Sequence, residues 1–215
     1  MITPGETGRK DLVVLVADKN MEYALRGLLE DRTPALGIRQ LTYDIYSHPR
    51  HDPGCLNEAH EYLGGLLHQY RHALVLFDKE GCGQEHQNAQ MLEKEVNSRL
   101  SGSGWDEYAA VIVLDPELEV WVWSESPHVA QCLGWAGNEP SLGEWLVSEG
   151  WLPEGEHKPP RPKEALEAAL RESRRPRSSA IYQYLARRVS LAGHTERAFV
   201  CLVKTLQRWF GTCTM

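Results

Sequence analysis

The sequence predicts an α/β protein in which helices flank a mostly parallel sheet and a C-terminal helical extension follows. Three short apolar runs, at residues 12–17, 73–77 and 109–114, are made almost entirely of Val, Leu, Ile and Ala. Runs of this length and composition are typical of strands that are buried on both faces. Amphipathic stretches separate the runs, and strands that alternate with helices favour a parallel sheet.

Hydrophobic periodicity and turn residues predict the remaining elements of the first half. Met21 begins a stretch whose apolar residues have helical spacing, and Asn20 before it is suited to cap a helix. Prolines and glycines mark the segments 47–54 and 78–83 as loops. The other predicted elements are a strand over 37–46, helices over 21–29, 56–70 and 84–100, and an extended segment over 118–123.

The pattern changes after residue 124, where strand-like runs stop and only helical periodicity continues. We therefore assign residues 1–125 to the α/β domain and residues 126–215 to a helical extension. A segment rich in proline and charge, at about residues 153–162, is expected to be a linker or an extended strap. Helices are predicted near residues 127–134, 141–149, 163–173, 178–191 and 195–209.

Charge is distributed unevenly along the chain, whose formal net charge is −7. Residues 1–157 contain 11 Lys or Arg and 26 Asp or Glu, a net charge of −15. Residues 158–215 contain 12 Lys or Arg and 4 Asp or Glu, a net charge of +8. A basic region beside an acidic body can mark a surface that binds nucleic acid or an acidic partner.

The cellular compartment is predicted to be the cytoplasm, with no membrane partner. No apolar run is long enough to span a bilayer, and no basic segment followed by an apolar stretch suggests a signal peptide. The five cysteines form no CxxC pair, so reduced thiols are expected and no zinc site is indicated.

Acidic residues follow three of the predicted strands. Ligands of open α/β sheets bind outside the carboxyl ends of the strands, and carboxylates there suit hard ions such as Mg²⁺ and Mn²⁺. The alternative is that each acid caps a helix or forms a turn. Convergence at one sheet edge favours a site centred on residues 78–80. The acids concerned are Asp18, Asp78, Glu80, Asp115 and Glu117, with Glu119 just beyond them.

Three segments of the chain resemble a known family. Residues 13–25 read VVLVADKNMEYAL, residues 75–81 read VLFDKEG, and residues 116–123 read PELEVWVW. This order of motifs is similar to the Toprim domain of topoisomerases, primases and OLD-family nucleases. It resembles most the small stand-alone Toprim-like proteins of bacterial anti-phage defence loci, including components of methylation-associated defence systems.

The resemblance implies a nuclease that depends on Mg²⁺ or Mn²⁺ and acts in antiviral defence. Asp78 and Glu80 match the family's acid-x-acid ligands and would be catalytic, and Glu119 matches the acid that precedes a tryptophan. Asp18 would complete the metal ligands, although the family usually has a glutamate one residue earlier, where this chain has Ala17. That departure keeps an alternative open: a non-catalytic sensor or scaffold that partners an ATPase or another defence protein.

Basic residues suggest contacts with phosphate. Arg50, in the loop after the second predicted strand, could hold a phosphate between its two terminal nitrogens and is the third predicted catalytic residue. A basic strip in the extension could bind DNA or RNA, or it could be a solvated helix face. A module that binds nucleotides or hydrolyses small phosphate esters is a further alternative. The strip consists of Arg171, Arg174, Arg175, Arg177, Arg187 and Arg188.

Overall fold

The computed structural model describes residues 8–191 and 195–212, and its centre is a four-stranded sheet. The strands are β1 (Lys10–Val16), β2 (Tyr43–Ser47), β3 (Tyr70–Asp78) and β4 (Ala109–Leu114). All strand pairs are parallel, and the order across the sheet is β2-β1-β3-β4. The predicted α/β class, with a parallel sheet, flanking helices and a helical C-terminal region, is therefore confirmed.

The two central strands form the middle of the hydrophobic core. Residues 12–16 of β1 and residues 73–77 of β3 are almost completely shielded from solvent. Both faces of these strands are therefore covered, which explains why their sequences are continuous apolar runs rather than alternating ones. Val16 pairs with Leu76 in the register between the two strands, so β1 and β3 end close together.

Helices connect the strands and form the C-terminal region. The direction of the connections reverses after β2, which places the first helix and the next two long helices on opposite faces of the sheet. The helices are α1 (Lys19–Asp31), α2 (Thr33–Leu36), α3 (His51–Gly64), α4 (Ala89–Gly102), α5 (Pro127–Cys132), α6 (Leu142–Ser148), α7 (Pro162–Glu172), α8 (Ser179–Arg188) and α9 (Arg197–Phe210), with 3-10 turns at Asp106–Tyr108 and Leu118–Trp121.

The extended segment predicted over 118–123 is wrong. Residues 118–121 form a 3-10 helix, in which Val120 N donates to Glu117 O at 3.1 Å and Val122 N donates to Glu119 O at 2.9 Å. The alternation of apolar and other residues in the sequence indicated a strand, but Leu118, Glu119 and Val120 are all buried. Burial of consecutive residues fits a tight turn packed into the protein, not a strand with one exposed face.

The second strand and the third helix also differ from the prediction. Residues 33–36, before the predicted strand, form the short helix α2, with Pro34 in its first turn and Gly37 ending it at a φ of +71°, a conformation that favours glycine. Strand β2 is limited to residues 43–47, and Ile38 forms an antiparallel bridge with Gly211 instead of joining β2. The predicted loop 47–54 is shorter than expected because α3 already begins at His51.

The helical extension packs directly on the α/β part of the chain. Helix α8 lies along α1, and α9 contacts β4 and α2. Close approach of α1 and α8 requires Gly27, because a Cβ atom there would lie 2.8 Å from Ala186 Cβ and 2.8 Å from Gln183 O. Buried residues of the extension belong to the same hydrophobic cluster as the sheet. Over the ranges that the structure describes, no helix is long and apolar enough to cross a bilayer.

The close packing of α8 on α1 predicts the effect of substituting Gly27. Gly27→Ala should lower the free energy of unfolding by about 1–3 kcal/mol, because overpacking forces the two helices apart. Gly64→Ala is the matched control, since a Cβ atom there meets nothing within 4 Å. Urea denaturation of both variants measures the difference. Equal stability of Gly27→Ala and wild type would contradict this packing.

Candidate metal centre

The carboxyl edge of the sheet collects acidic side chains from several elements. Because the strands are parallel, their carboxyl ends meet at one edge, and the order reverses between β1 and β3, where ligands of such sheets usually bind. Three carboxylates form the centre of this edge. Ligand oxygens of Asp78, Glu117 and Glu119 lie within 4.8 Å of one another, a grouping that could hold a metal ion.

Asp78 is the last residue of β3 and lies on the sheet itself. Its backbone N donates to Asp52 Oδ1 at 2.8 Å, which anchors the start of α3 to the end of β3. Its own Oδ1 is buried and has no hydrogen-bond partner among the described residues. A buried carboxylate oxygen without a donor is costly, so this atom fits a ligand that supplies positive charge.

Glu119 lies in the 3-10 turn that follows β4, and Glu117 is the N-cap residue just before that turn. Leu118, between them, belongs to the hydrophobic core cluster, and Val120, which follows Glu119, is also buried. Only 5% of Glu117 and 3% of Glu119 is exposed to solvent. The turn therefore holds two carboxylates in a site from which water is largely excluded.

Groups from the extension donate hydrogen bonds to these two carboxylates. Glu117 Oε1 accepts a hydrogen bond from the backbone N of Lys163 at 2.9 Å, and Lys163 Nζ lies 4.0 Å from Glu117 Oε2. Glu119 Oε1 accepts from Arg177 Nη2 at 2.8 Å and from the hydroxyl of Tyr182 at 2.5 Å. The extension thus provides the donors that the sheet edge lacks.

Burial and mutual repulsion shift the protonation of the acids. Burial raises the pKa of Asp78 well above its usual value, and the nearby charges of Asp52, Glu119, Asp18 and Glu117 raise that pKa further. Burial, reinforced by Glu119, raises the pKa of Glu117 to about 7, although Lys163 opposes the shift. Without a cation, the centre therefore favours the protonated form of Asp78 more than water favours it for an exposed aspartate. A divalent cation would replace such protons on binding.

Asp18 and Asp52 lie beside the three-carboxylate group without belonging to it. Asp18 caps α1, where its Oδ1 accepts from Met21 N at 2.9 Å. Asp52 lies in the first turn of α3, and burial raises its pKa. Both charges raise the pKa of Asp78, so both contribute to the negative potential of the centre. The sequence analysis predicted Asp18 as a metal ligand, whereas the structure places it beside the three-carboxylate group as the cap of α1.

Glu80 and Arg50 lie outside the group. The side chain of Glu80 is exposed, and its backbone N donates to Pro116 O at 3.0 Å. Arg50 precedes α3 and forms an ion pair with Glu58, with 66% of its side chain exposed. The structure therefore brings Asp78 and Glu119 together, as the motifs indicated, and adds Glu117, which the sequence identified only as a strand-end acid.

The six arginines of the predicted basic strip have different surroundings. Arg177 reaches the acidic centre, whereas Arg187 pairs with Glu30 at 2.9 Å and Asp31 at 2.5 Å on α1. Arg188 lies over the ring of Tyr184, and the remaining three, Arg171, Arg174 and Arg175, are exposed. Within the chain that the structure describes, only Arg177 of these six contacts the acidic centre.

Comparisons with known proteins do not assign the chain to a family. No family model matches it, and no curated protein or solved structure is significantly similar to it. The likeness to Toprim domains consequently rests on the three short sequence motifs and on an α/β fold that is compatible with it.

The raised pKa of Glu117 predicts how stability depends on pH. The folded protein keeps the Glu117 proton up to about pH 7, whereas the unfolded chain loses it near its ordinary pKa of 4.5. Stability from this group is therefore complete below pH 4.5 and is lost as the pH rises through 7. The loss should reach about 3 kcal/mol, since each pKa unit corresponds to about 1.4 kcal/mol.

Metal-free wild type and Glu117→Gln, unfolded with urea between pH 4.5 and 8, provide the measurement. The wild type should lose stability over this range relative to the variant, whose amide does not titrate. Two parallel pH profiles would mean that Glu117 titrates normally in the folded protein.

Proposed function

We propose that the protein is a metal-dependent phosphodiesterase, and specifically a nuclease. The observation that carries the proposal is the buried, unpartnered Oδ1 of Asp78, which lies among the carboxylates of Glu117 and Glu119. Three carboxylates without a nitrogen or sulfur ligand suit a hard cation better than zinc or copper. Mg²⁺ and Mn²⁺ are accordingly the cofactors proposed for this centre.

The residues of the centre have distinct proposed roles. Asp78, Glu117 and Glu119 would hold the ion, which when bound would polarise a phosphodiester and lower the pKa of a water molecule. Asp18 and Asp52 add negative charge that attracts a cation. Arg177 lies next to the centre and is about one third exposed, so it could also face the phosphate of a substrate.

Nucleic acid is the proposed substrate. The extension has a net charge of +8 over residues 158–215, and the arginines Arg171, Arg174 and Arg175 are exposed on it. Basic surfaces of this kind bind the phosphate backbone without reading sequence. The resemblance to Toprim-like proteins supports a role in bacterial anti-phage defence, together with an ATPase or another defence protein.

A pair of isosteric substitutions tests the metal-dependent activity. Asp78→Asn should weaken Mn²⁺ binding and lower Mn²⁺-dependent cleavage of DNA or RNA by more than about 100-fold, since losing an outer-shell partner alone costs 10–100-fold. Glu80→Gln is the matched control and should retain both properties, because Glu80 lies outside the three-carboxylate group. Isothermal titration with Mn²⁺ and a cleavage assay on labelled oligonucleotides provide the two readouts.

Undiminished cleavage by Asp78→Asn would refute this proposal. A loss of activity in Glu80→Gln instead would assign the ligand role to Glu80, as the resemblance implies.

A non-catalytic role in a defence complex is the second candidate. Arg177 already supplies a positive charge to Glu119, and Ala17 stands where the Toprim-like pattern has a glutamate. A centre that is partly neutralised by its own arginine could act as a metal-sensing or purely structural element. Tight Mn²⁺ binding by the wild type without cleavage of any nucleic acid would favour this candidate over the nuclease.

A further inference from the structure

The strongest contacts between the extension and the acidic centre come from one short stretch, residues 177–182, which we name the docking segment. It contains the residue before the N-cap of α8 and the first turn of that helix. Arg177 and Tyr182, at its two ends, converge on a single atom, Oε1 of Glu119. They also contact one another, at 3.3 Å between Arg177 Nη2 and the Tyr182 hydroxyl.

Convergence on one oxygen leaves the other oxygen of Glu119 available. A carboxylate has two oxygens, and the described hydrogen bonds to this one all involve Oε1. Charge-assisted bonds from an arginine and a tyrosine fix the plane of the carboxylate. In metal sites, partners of this kind orient the ligands and raise the affinity for the ion.

Arg177 is itself held in place by a second carboxylate. Its Nη1 donates to Glu167 Oε1 on α7 at 2.5 Å, and about one third of the side chain is exposed. The guanidinium thus bridges Glu167 and Glu119, with one terminal nitrogen on each. A planar group with two fixed ends is a rigid support, which a flexible ammonium cannot reproduce.

The docking segment also reaches the other side of the acidic edge. Ser179 Oγ donates to Asn20 Oδ1 at 2.9 Å, and Asn20 Nδ2 donates to Asp18 Oδ2 at 3.2 Å. One segment therefore connects the turn after β1 with the turn after β4. These contacts lie at the two sides of β3, which ends in Asp78.

We infer that the docking segment is part of the metal centre and that Arg177 and Tyr182 are positioning residues, which orient Glu119 as a ligand for a divalent cation. This inference rests on the proposed metal-dependent function and extends it, because it assigns part of the site to the helical extension. Its basis is the convergence of both side chains on Glu119 Oε1, beside the unpartnered Oδ1 of Asp78.

Two substitutions that preserve charge test the positioning role. Tyr182→Phe removes only the hydroxyl, and Arg177→Lys keeps the positive charge but cannot bridge Glu119 and Glu167. Each should weaken Mn²⁺ binding about tenfold, the lower end of the range for losing an outer-shell partner. Electron paramagnetic resonance of free Mn²⁺, at a temperature where every variant is folded, gives the dissociation constants.

Helix α8 offers a matched control for each substitution. Tyr184→Phe removes a hydroxyl that bonds Gln131 at 3.0 Å, and Arg187→Lys alters ion pairs with Glu30 and Asp31. Neither residue contacts the three carboxylates in the part of the chain that the structure describes. Both control variants should bind Mn²⁺ with the wild-type dissociation constant.

The hydration of a bound lanthanide provides a readout that a loss of stability alone would not change. Luminescence lifetimes of bound Tb³⁺ in H₂O and D₂O count the water molecules on the ion. If Tyr182→Phe releases Glu119 from the ion, water should take its place, and the count should rise relative to wild type and Tyr184→Phe.

The outcomes separate this inference from the proposed function. Wild-type affinity and hydration in both Tyr182→Phe and Arg177→Lys, with tight binding by the wild type, would overturn the positioning role and leave the metal centre intact. Failure of the wild type to bind Mn²⁺ or Tb³⁺ would overturn the metal centre itself.

Discussion

The burial of Asp78 at the end of a central strand is the constraint on which the rest of the acidic edge depends. A carboxylate in that position loses its hydration, and its Oδ1 receives no hydrogen bond from the described residues in return. An unpaired buried charge is so unfavourable that the group usually takes up a proton instead. The fold therefore favours the protonated form of this carboxyl group, and a bound cation would reverse that preference.

The surrounding acids make the ionised form of Asp78 still less favourable. The pKa of Asp78 is raised by four neighbouring acids, which come from three segments of the chain. Asp18 follows β1, Asp52 follows β2, and Glu117 and Glu119 follow β4. Among the described residues, Lys163 and Arg177 form the ion pairs with the two glutamates of the centre. Carboxylates therefore outnumber positive groups at this site. A divalent cation would replace the protons on the carboxylates and would reduce the repulsion between their charges.

The fold class could be predicted from the sequence because strands that are buried on both faces have continuous apolar sequences. The apolar runs of β1, β3 and β4 indicated strands that are covered on both faces, and the acids that follow parallel strands lie at one edge of the sheet. The turn at Leu118–Trp121 could not be predicted in the same way. Its alternating residues fit a strand. The burial of consecutive residues is explained by the packing of α7 against the turn and by the contact of Trp121 with Phe199 of α9.

The site was predictable where it depends on strand ends and unpredictable where it depends on the extension. Asp78 and Glu119 were identified from local motifs, but Arg177 and Tyr182 are 58 and 63 residues away from Glu119 in the chain. No local pattern distinguishes Arg177 from the five other arginines of the strip. Only the docking of α8 on α1, which Gly27 permits, selects it for contact with the acidic centre.

The position of a bound ion tests directly whether Asp78, Glu117 and Glu119 form a metal centre. Crystals grown with MnCl₂ and measured at the manganese absorption edge would locate the ion by its anomalous signal. We expect a peak about 2.0–2.6 Å from carboxylate oxygens of Asp78, Glu117 and Glu119, the range for hard cations on oxygen ligands. A map without a peak at this edge, or with one coordinated elsewhere on the chain, would contradict it.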